Sequence, residues 1–366
     1  MTRVKADWRF VGIVLLCAGA QPAHAQWTAV NLHPTGAYNS EAFGVGDGVE
    51  VGGVSPSGGI QHASLWTGPS ASWTNLDPVG ATYAFAYGAR DGQQVGVVRL
   101  NGGTTRASLW TGSASSWTDL SPSGSSASWC WGAGGGEQVG QSNVGDGPAH
   151  ASLWRGTAGS WTDLHPAGPN ASYAYSVSGG QQVGQTVWDA TPTQGGYQHA
   201  SLWNGTAASW IDLNPVGAAG SNAMGVQGGQ QVGVAKINDL NRASLWSGTA
   251  ASWVDLTPTG SNWSIAYGVD GGQQVGYVNF GGGNDRAGLW SGTADSWVDL
   301  HSFLPPGFEN SEAHAIWHDS TATYVVGLAR FTSGEERAIM WVGPVPTPGA
   351  VSVLALSGLV TLRRRR

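Results

Sequence analysis

The sequence predicts an all-β fold: a β-propeller of seven four-stranded antiparallel blades whose N-terminal strand closes the last blade. Three observations predict it. A unit of about 44 residues recurs along the chain. Each unit holds four short β-rich signatures, which is the length and strand content of one propeller blade. The two ends of the repeat array lack complementary pieces.

The period is read from tryptophan. Trp73, Trp117, Trp161, Trp210, Trp253 and Trp297 are spaced by 44, 44, 49, 43 and 44 residues. A second column runs through Trp66, Trp110, Trp154, Trp203, Trp246, Trp290 and Trp341. The signatures define strands A to D. Strand A reads Ser264-Ile265-Ala266-Tyr267-Gly268 and strand B Gln181-Gln182-Val183-Gly184. Strand C reads Ala151-Ser152-Leu153-Trp154 and strand D Trp161-Thr162-Asp163-Leu164. Glycine pairs such as Gly179-Gly180 predict tight A–B hairpin turns, and short Gly/Ser/Ala runs predict the C–D loops. The two Trp columns lie 7 residues apart in every complete C–D hairpin. That places them near cross-strand register and predicts structural aromatic pairs.

Strand A carries a small column, Ala42, Ala86, Cys130, Ala174, Ala223, Ala266 and Ala313. The next position is mostly large: Phe43, Tyr87, Trp131, Tyr175, Met224, Tyr267 and His314. Large against small lets blades interdigitate near a crowded axis. Cys130 then stands in for a buried alanine.

The ends predict closure. The seventh strand C is Ala338-Ile339-Met340-Trp341, but Pro344, Pro346 and Pro348 occupy the place of its strand D. An orphan strand D, Trp27-Thr28-Ala29-Val30-Asn31-Leu32, opens the array. Pairing the two removes the exposed edges of an open array, which a linear β-solenoid would keep.

The composition has 58 Gly, 20 Trp and 11% charged residues in 366. Arg3, Lys5 and Arg9, the apolar run from Phe10 to Ala20, and Ala23-His24-Ala25 predict a secretory signal cleaved after Ala25. Residues 1–25 are that signal, 26–343 the propeller and 344–366 a tail. The tail runs from Pro344 to Gly349 through an apolar stretch, Ala350 to Leu362, to four arginines. Such a stretch, stopped by positive charge, predicts transient membrane contact. Without the two signals Lys+Arg falls from 16 to 9 and Asp+Glu from 23 to 22, a net charge near −13. That charge argues against nucleic acid as a partner. Cys130 is the one cysteine left, so no intrachain disulfide framework is expected.

The tail resembles the PEP-CTERM sorting signals of bacteria, with Pro346-Thr347-Pro348 where the family has Pro-Glu-Pro. The resemblance implies an exosortase-like processing partner and delivery to the cell surface or extracellular matrix. The unit His150-Ala151-Ser152-Leu153-Trp154, with Trp161-x-Asp163-Leu164, Ser172-x-Ala174 and Gln182-Val183-Gly184, resembles the extracellular HAF repeats over residues 27 to 342. That resemblance implies a secreted repeat protein and no known ligand.

For function, His62, Arg106, His150, His199, Arg242, Arg286 and Arg337 run beside Asp119, Asp163, Asp212, Asp255 and Asp299, predicting one charge-assisted hydrogen bond per blade. His314 and His318 would share a strand face but lack a clear third ligand, so no metal or other cofactor is expected. The A–B and C–D turns are nearly uniform, whereas the B–C loops vary, which marks the B–C/D–A face for binding. At the start of strand A, Glu41, Trp129, Tyr173 and Glu312 are the candidate ligand-binding residues. The expectation is a protein without chemistry, holding a glycan or protein partner through that face. A purely structural matrix role is a second reading. The enzyme alternative, a hydrolase or lyase of extracellular polysaccharide, would use Glu41 and Glu312 as neighbours across the ring closure.

Overall fold

The computed structural model describes residues 27–56, 59–68, 72–189 and 196–345. The predicted signal, including Ala25, and the tail residues Pro346, Thr347 and Pro348 lie outside them. The described chain forms seven sheets of four antiparallel strands. Blade 1 runs Ala37–Gly46, Val49–Pro56, His62–Trp66 and Thr74–Asn75 as strands A to D. Blade 7 is built from Phe308–His318, Thr323–Phe331 and Glu336–Gly343, and its strand D is Thr28–Asn31 from the other end of the chain. Thr28 pairs with Val342 and Asn31 with Ile339, so the ring closes as the complementary ends predict.

Local chemistry sets each element. The A–B turns place Gly179 and Gly180 at φ 58° and 76°, the left-handed pair that a two-residue hairpin favours. At the C–D turn, Ser160 Oγ accepts from Arg155 N at 2.8 Å and donates to Thr157 O at 2.6 Å. Strand C explains its own motif. In blade 2, Ala107 and Leu109 pack toward Cys130 and Trp154 of blade 3, while Trp110 packs back on Val51 and Leu65 of blade 1. The strand C tryptophans are all fully buried between blades. Those of strand D take another role: Trp117 Nε1 donates to Ser108 Oγ at 3.0 Å, and Trp161 Nε1 to Ser152 Oγ at 2.9 Å. The columns are structural, as expected, but in blades 1 to 5 the strand D indole is held by a serine hydroxyl, whereas blade 6 has Gly288 there beside Trp297.

Strand A departs from simple alternation. In every blade its register slips by one residue just after the small column, as between Ala42 and Gly44 or Cys130 and Gly132. The unpaired extra residue is Phe43, Tyr87, Trp131, Tyr175, Met224, Tyr267 or His314. A β-bulge of this kind re-aims one side chain. Here it turns seven of them onto the ring axis. The bulge also explains the glycine ending Gln-Val-Gly: a Cβ on Gly140 would lie 1.8 Å from the Trp129 carbonyl oxygen.

The strand B glutamines join turns and blades. Gln138 Oε1 accepts from Gly156 N at 2.7 Å, and its Nε2 donates to Gln93 Oε1 of the preceding blade at 2.8 Å. Blade 1 has Glu50 there, accepting from Gly68 N at 3.0 Å. Burial pushes the Glu50 carboxyl up to about 7 from 4.5, against the opposing pull of backbone hydrogen bonds. The folded state therefore holds this proton more tightly than the unfolded chain. Its stability should fall as pH rises from about 4.5 to about 7. Glu50→Gln, which keeps the acceptor without the charge, should raise stability by about 1–3 kcal/mol near pH 8 and change little near pH 4. Urea unfolding at the two pH values measures this; equal effects at both would contradict it.

Candidate functional site

The B–C and D–A connections gather on one face of the ring. Seven of the eleven large apolar side chains exposed among the described residues lie there: Tyr38, Ile60, Val79, Val144, Val216, Leu240 and Phe280. Val79 and Val216, on D–A turns, are wholly exposed.

Ring closure brings Glu41 and Glu312 together, as expected for neighbours in blades 1 and 7. Burial, foremost, and then the charge of Glu336 push the Glu41 carboxyl up to about 7; Glu312 adds to this and His314 opposes it. Glu312 goes the other way. Burial works against its ionisation, but the hydrogen bond and charge of His314, with the charge of Arg330, hold it below the ordinary carboxylate range. His314 Nε2 lies 3.3 Å from Glu312 Oε2, and its Nδ1 lies 3.1 Å from the Ala42 carbonyl oxygen. Arg330 Nε donates to Glu336 Oε1 at 2.8 Å, and the Glu336 backbone N–H donates to Asn39 Oδ1 of blade 1 at 2.9 Å. The seam of the ring is thus a half-buried polar cluster in which two adjacent carboxyls hold protons with different strength. Glu336 and Arg330 were missed in the sequence because blade 7 departs most from the repeat.

Trp129 and Tyr173 stand elsewhere on the ring. Trp129 lines a groove of about 580 Å³ with Thr82, Arg99, Thr104 and Thr105, between blades 2 and 3. Tyr173 stacks on Tyr175, with ring centroids 6.3 Å apart and planes 9° from parallel. A second groove, about 680 Å³, lies between blades 4 and 5 and is walled by Trp188, Tyr197, Asn222 and Lys236. Its aromatic pair, Trp188 and Tyr197, is the last cross-strand pair of strands B and C in blade 4, where the sequence suggested loop, and it lies outside every repeat signature and so carried no periodic signal.

The charged column behaves as predicted. His150 Nδ1 lies 2.8 Å from Asp163 Oδ2, His199 Nδ1 lies 2.7 Å from Asp212 Oδ2, and Arg286 pairs with Asp299 at 2.6 Å. In blade 1, His62 pairs with Asp77, two residues beyond Asn75, which takes the usual aspartate position. Arg337 pairs with Glu335 instead. His314 and His318 do not converge. The bulge at His314 breaks their shared face, and His318 pairs with Asp270 and Gln273 of blade 6.

No protein-family model and no curated protein sequence matches this chain. Solved structures do share its fold. The β-propeller domain of the Trilobed protease from Pyrococcus furiosus matches with a TM-score of 0.55 at 10% identity, over 83% of this chain and 95% of that one. That domain has an open velcro topology; here the N-terminal strand closes the ring. A prolyl endopeptidase matches with a TM-score of 0.54 at 11% identity, over 85% of this chain and 51% of its own. Puromycin hydrolase matches with 0.52 at 14%, over 87% and 58%. The chain spans little more than half the length of these last two. At such identities the likeness shows the fold, a seven-bladed propeller. It also corrects one expectation. The sequence suggested a protein without chemistry, yet these neighbours are propeller domains of peptidases, which are enzymes. The fold therefore does not set this chain apart from enzymes.

Proposed function

We propose that the chain is an exported propeller of the cell surface or extracellular matrix that binds a glycan or protein partner through its B–C/D–A face. The observation that carries this reading is the asymmetry of the two faces. The A–B and C–D turns repeat from blade to blade, while the opposite face combines varied loops, exposed apolar side chains and the Trp129 groove. An aromatic plate beside threonine hydroxyls and a guanidinium suits a sugar, which stacks on one and hydrogen-bonds the others. Export and processing rest on the HAF and PEP-CTERM resemblances.

A second reading, cleavage of an extracellular polysaccharide, is favoured by the divided carboxyls. Glu41, protonated near neutral pH, would give a proton, and the ionised Glu312 would act as base or nucleophile. A glycan array probed with residues 26–343 tests binding. Trp129→Ala should weaken a bound glycan by about 1–3 kcal/mol. Unchanged affinity would remove the Trp129 groove from the account. Incubation of the array's polysaccharide ligands with wild type and with the Glu41→Gln, Glu312→Gln variant separates the readings. Cleavage by wild type that the folded variant loses would establish the second.

A further inference from the structure

The seven bulge residues wall a chamber on the ring axis, about 390 Å³ in volume. That lies in the range of small-ligand pockets. Five of its walls are aromatic, from Phe43, Tyr87, Trp131, Tyr175 and Tyr267, and His314 adds an imidazole. The rings meet around the circle: Phe43 and His314 have centroids 4.2 Å apart, Trp131 and Tyr175 5.0 Å, and Tyr267 and His314 5.3 Å. Met224 fills the remaining blade, and Asn222 edges the chamber above it.

Packing alone does not call for this arrangement. A bulge that aims a large ring at the axis in each blade leaves an open space bounded by ring surfaces. The faces of those rings are negative, and a carboxylate, Glu312, stands behind the imidazole that completes the wall. His314 holds the Glu312 carboxylate 3.3 Å from its Nε2, beside Glu41 in the next blade. Across residues 26–345 there are 22 Asp and Glu against nine Lys and Arg. Burial, first, and then the charge of Glu336 raise the Glu41 carboxyl to about 7, so it adds its own charge only above that pH.

We propose that this chamber seats a quaternary ammonium group, its methyls against the rings of Phe43, Tyr87, Trp131 and Tyr267 and its charge toward Glu312. A primary ammonium holds its water too strongly to enter apolar walls. An alkylated cation sheds water readily and gains from several aromatic faces together. The seat lies on the axis, apart from the loop-face grooves, so it goes beyond the partner reading and fails or stands separately from it.

The test is a titration of residues 26–343 with choline, followed by tryptophan fluorescence and calorimetry. The control is 3,3-dimethyl-1-butanol, the neutral molecule of the same shape, at equal ionic strength. The titration is run near pH 8, where Glu41 is ionised as well as Glu312. Choline should bind saturably, with a Kd of about 1 mM or tighter, and the alcohol at least about tenfold more weakly. Trp131→Ala should weaken choline binding about tenfold or more, and Trp131→Phe, which keeps a ring and the fold, by less. Equal affinity for choline and the alcohol would overturn the proposal, as would no saturable choline binding, or binding untouched in a folded Trp131→Phe and Trp131→Ala pair.

Discussion

A chain lacking residues 27–32 should lose about 3–6 kcal/mol of stability, because the ring opens at its seam. Those residues supply strand D of blade 7. Leu32 is fully buried and packs with Trp66, Val326 and Met340 of the two blades that meet there. Its N–H donates to the Ala338 carbonyl at 3.0 Å. Without the strand, Ile339 to Val342 present an unpaired edge, a template for aggregation. The denaturation midpoint of the truncated chain measures the loss, and the peptide 27–32 added in trans should recover part of it. An unchanged midpoint would mean that the seam does not hold the ring.

Gly140→Ala should cost roughly 3–5 kcal/mol or prevent folding, a loss confined to sites where a new atom meets backbone. Its Cβ would sit 1.8 Å from the Trp129 carbonyl oxygen and 2.9 Å from the Cys130 Cα. No rotamer relieves that clash; the strand A bulge must flatten, which would also turn Trp131 off the axis. Gly159→Ala is the matched control. Nothing lies within 4 Å of a Cβ there, and Ala208 and Ala251 stand at the same place in the C–D turns of blades 4 and 5. It should change stability by no more than about 0.5 kcal/mol. Equal effects of the two substitutions would contradict the reading of strand B.

The contrast between those glycines shows what the sequence could and could not reveal. Blade number, strand order and closure were legible, because tryptophan spacing and complementary ends are long-range signals that survive local variation. The aspartate partners of His150 and His199 followed from the repeat. The partner of His62 did not, since Asp77 reaches the same place from two residues further on. The bulge was invisible. A period-two pattern cannot distinguish one extra residue from ordinary alternation, so Phe43 to His314 read as packing when they line a chamber. At the candidate site, the meeting of Glu41 and Glu312 was legible from ring closure alone. Their unequal proton affinities were not, because these depend on His314, Glu336 and Arg330, which only the folded seam brings close.

The central claim is that function resides on the B–C/D–A face and the axis behind it. Hydrogen exchange of residues 26–343, free and bound to a glycan identified on the array, tests it most directly. The account predicts slowed exchange at the loops around Arg99 to Thr105 and at the start of strand A in blade 3, with the A–B and C–D turns unchanged. Protection confined to those turns, at Gly179-Gly180 and its counterparts, would contradict it.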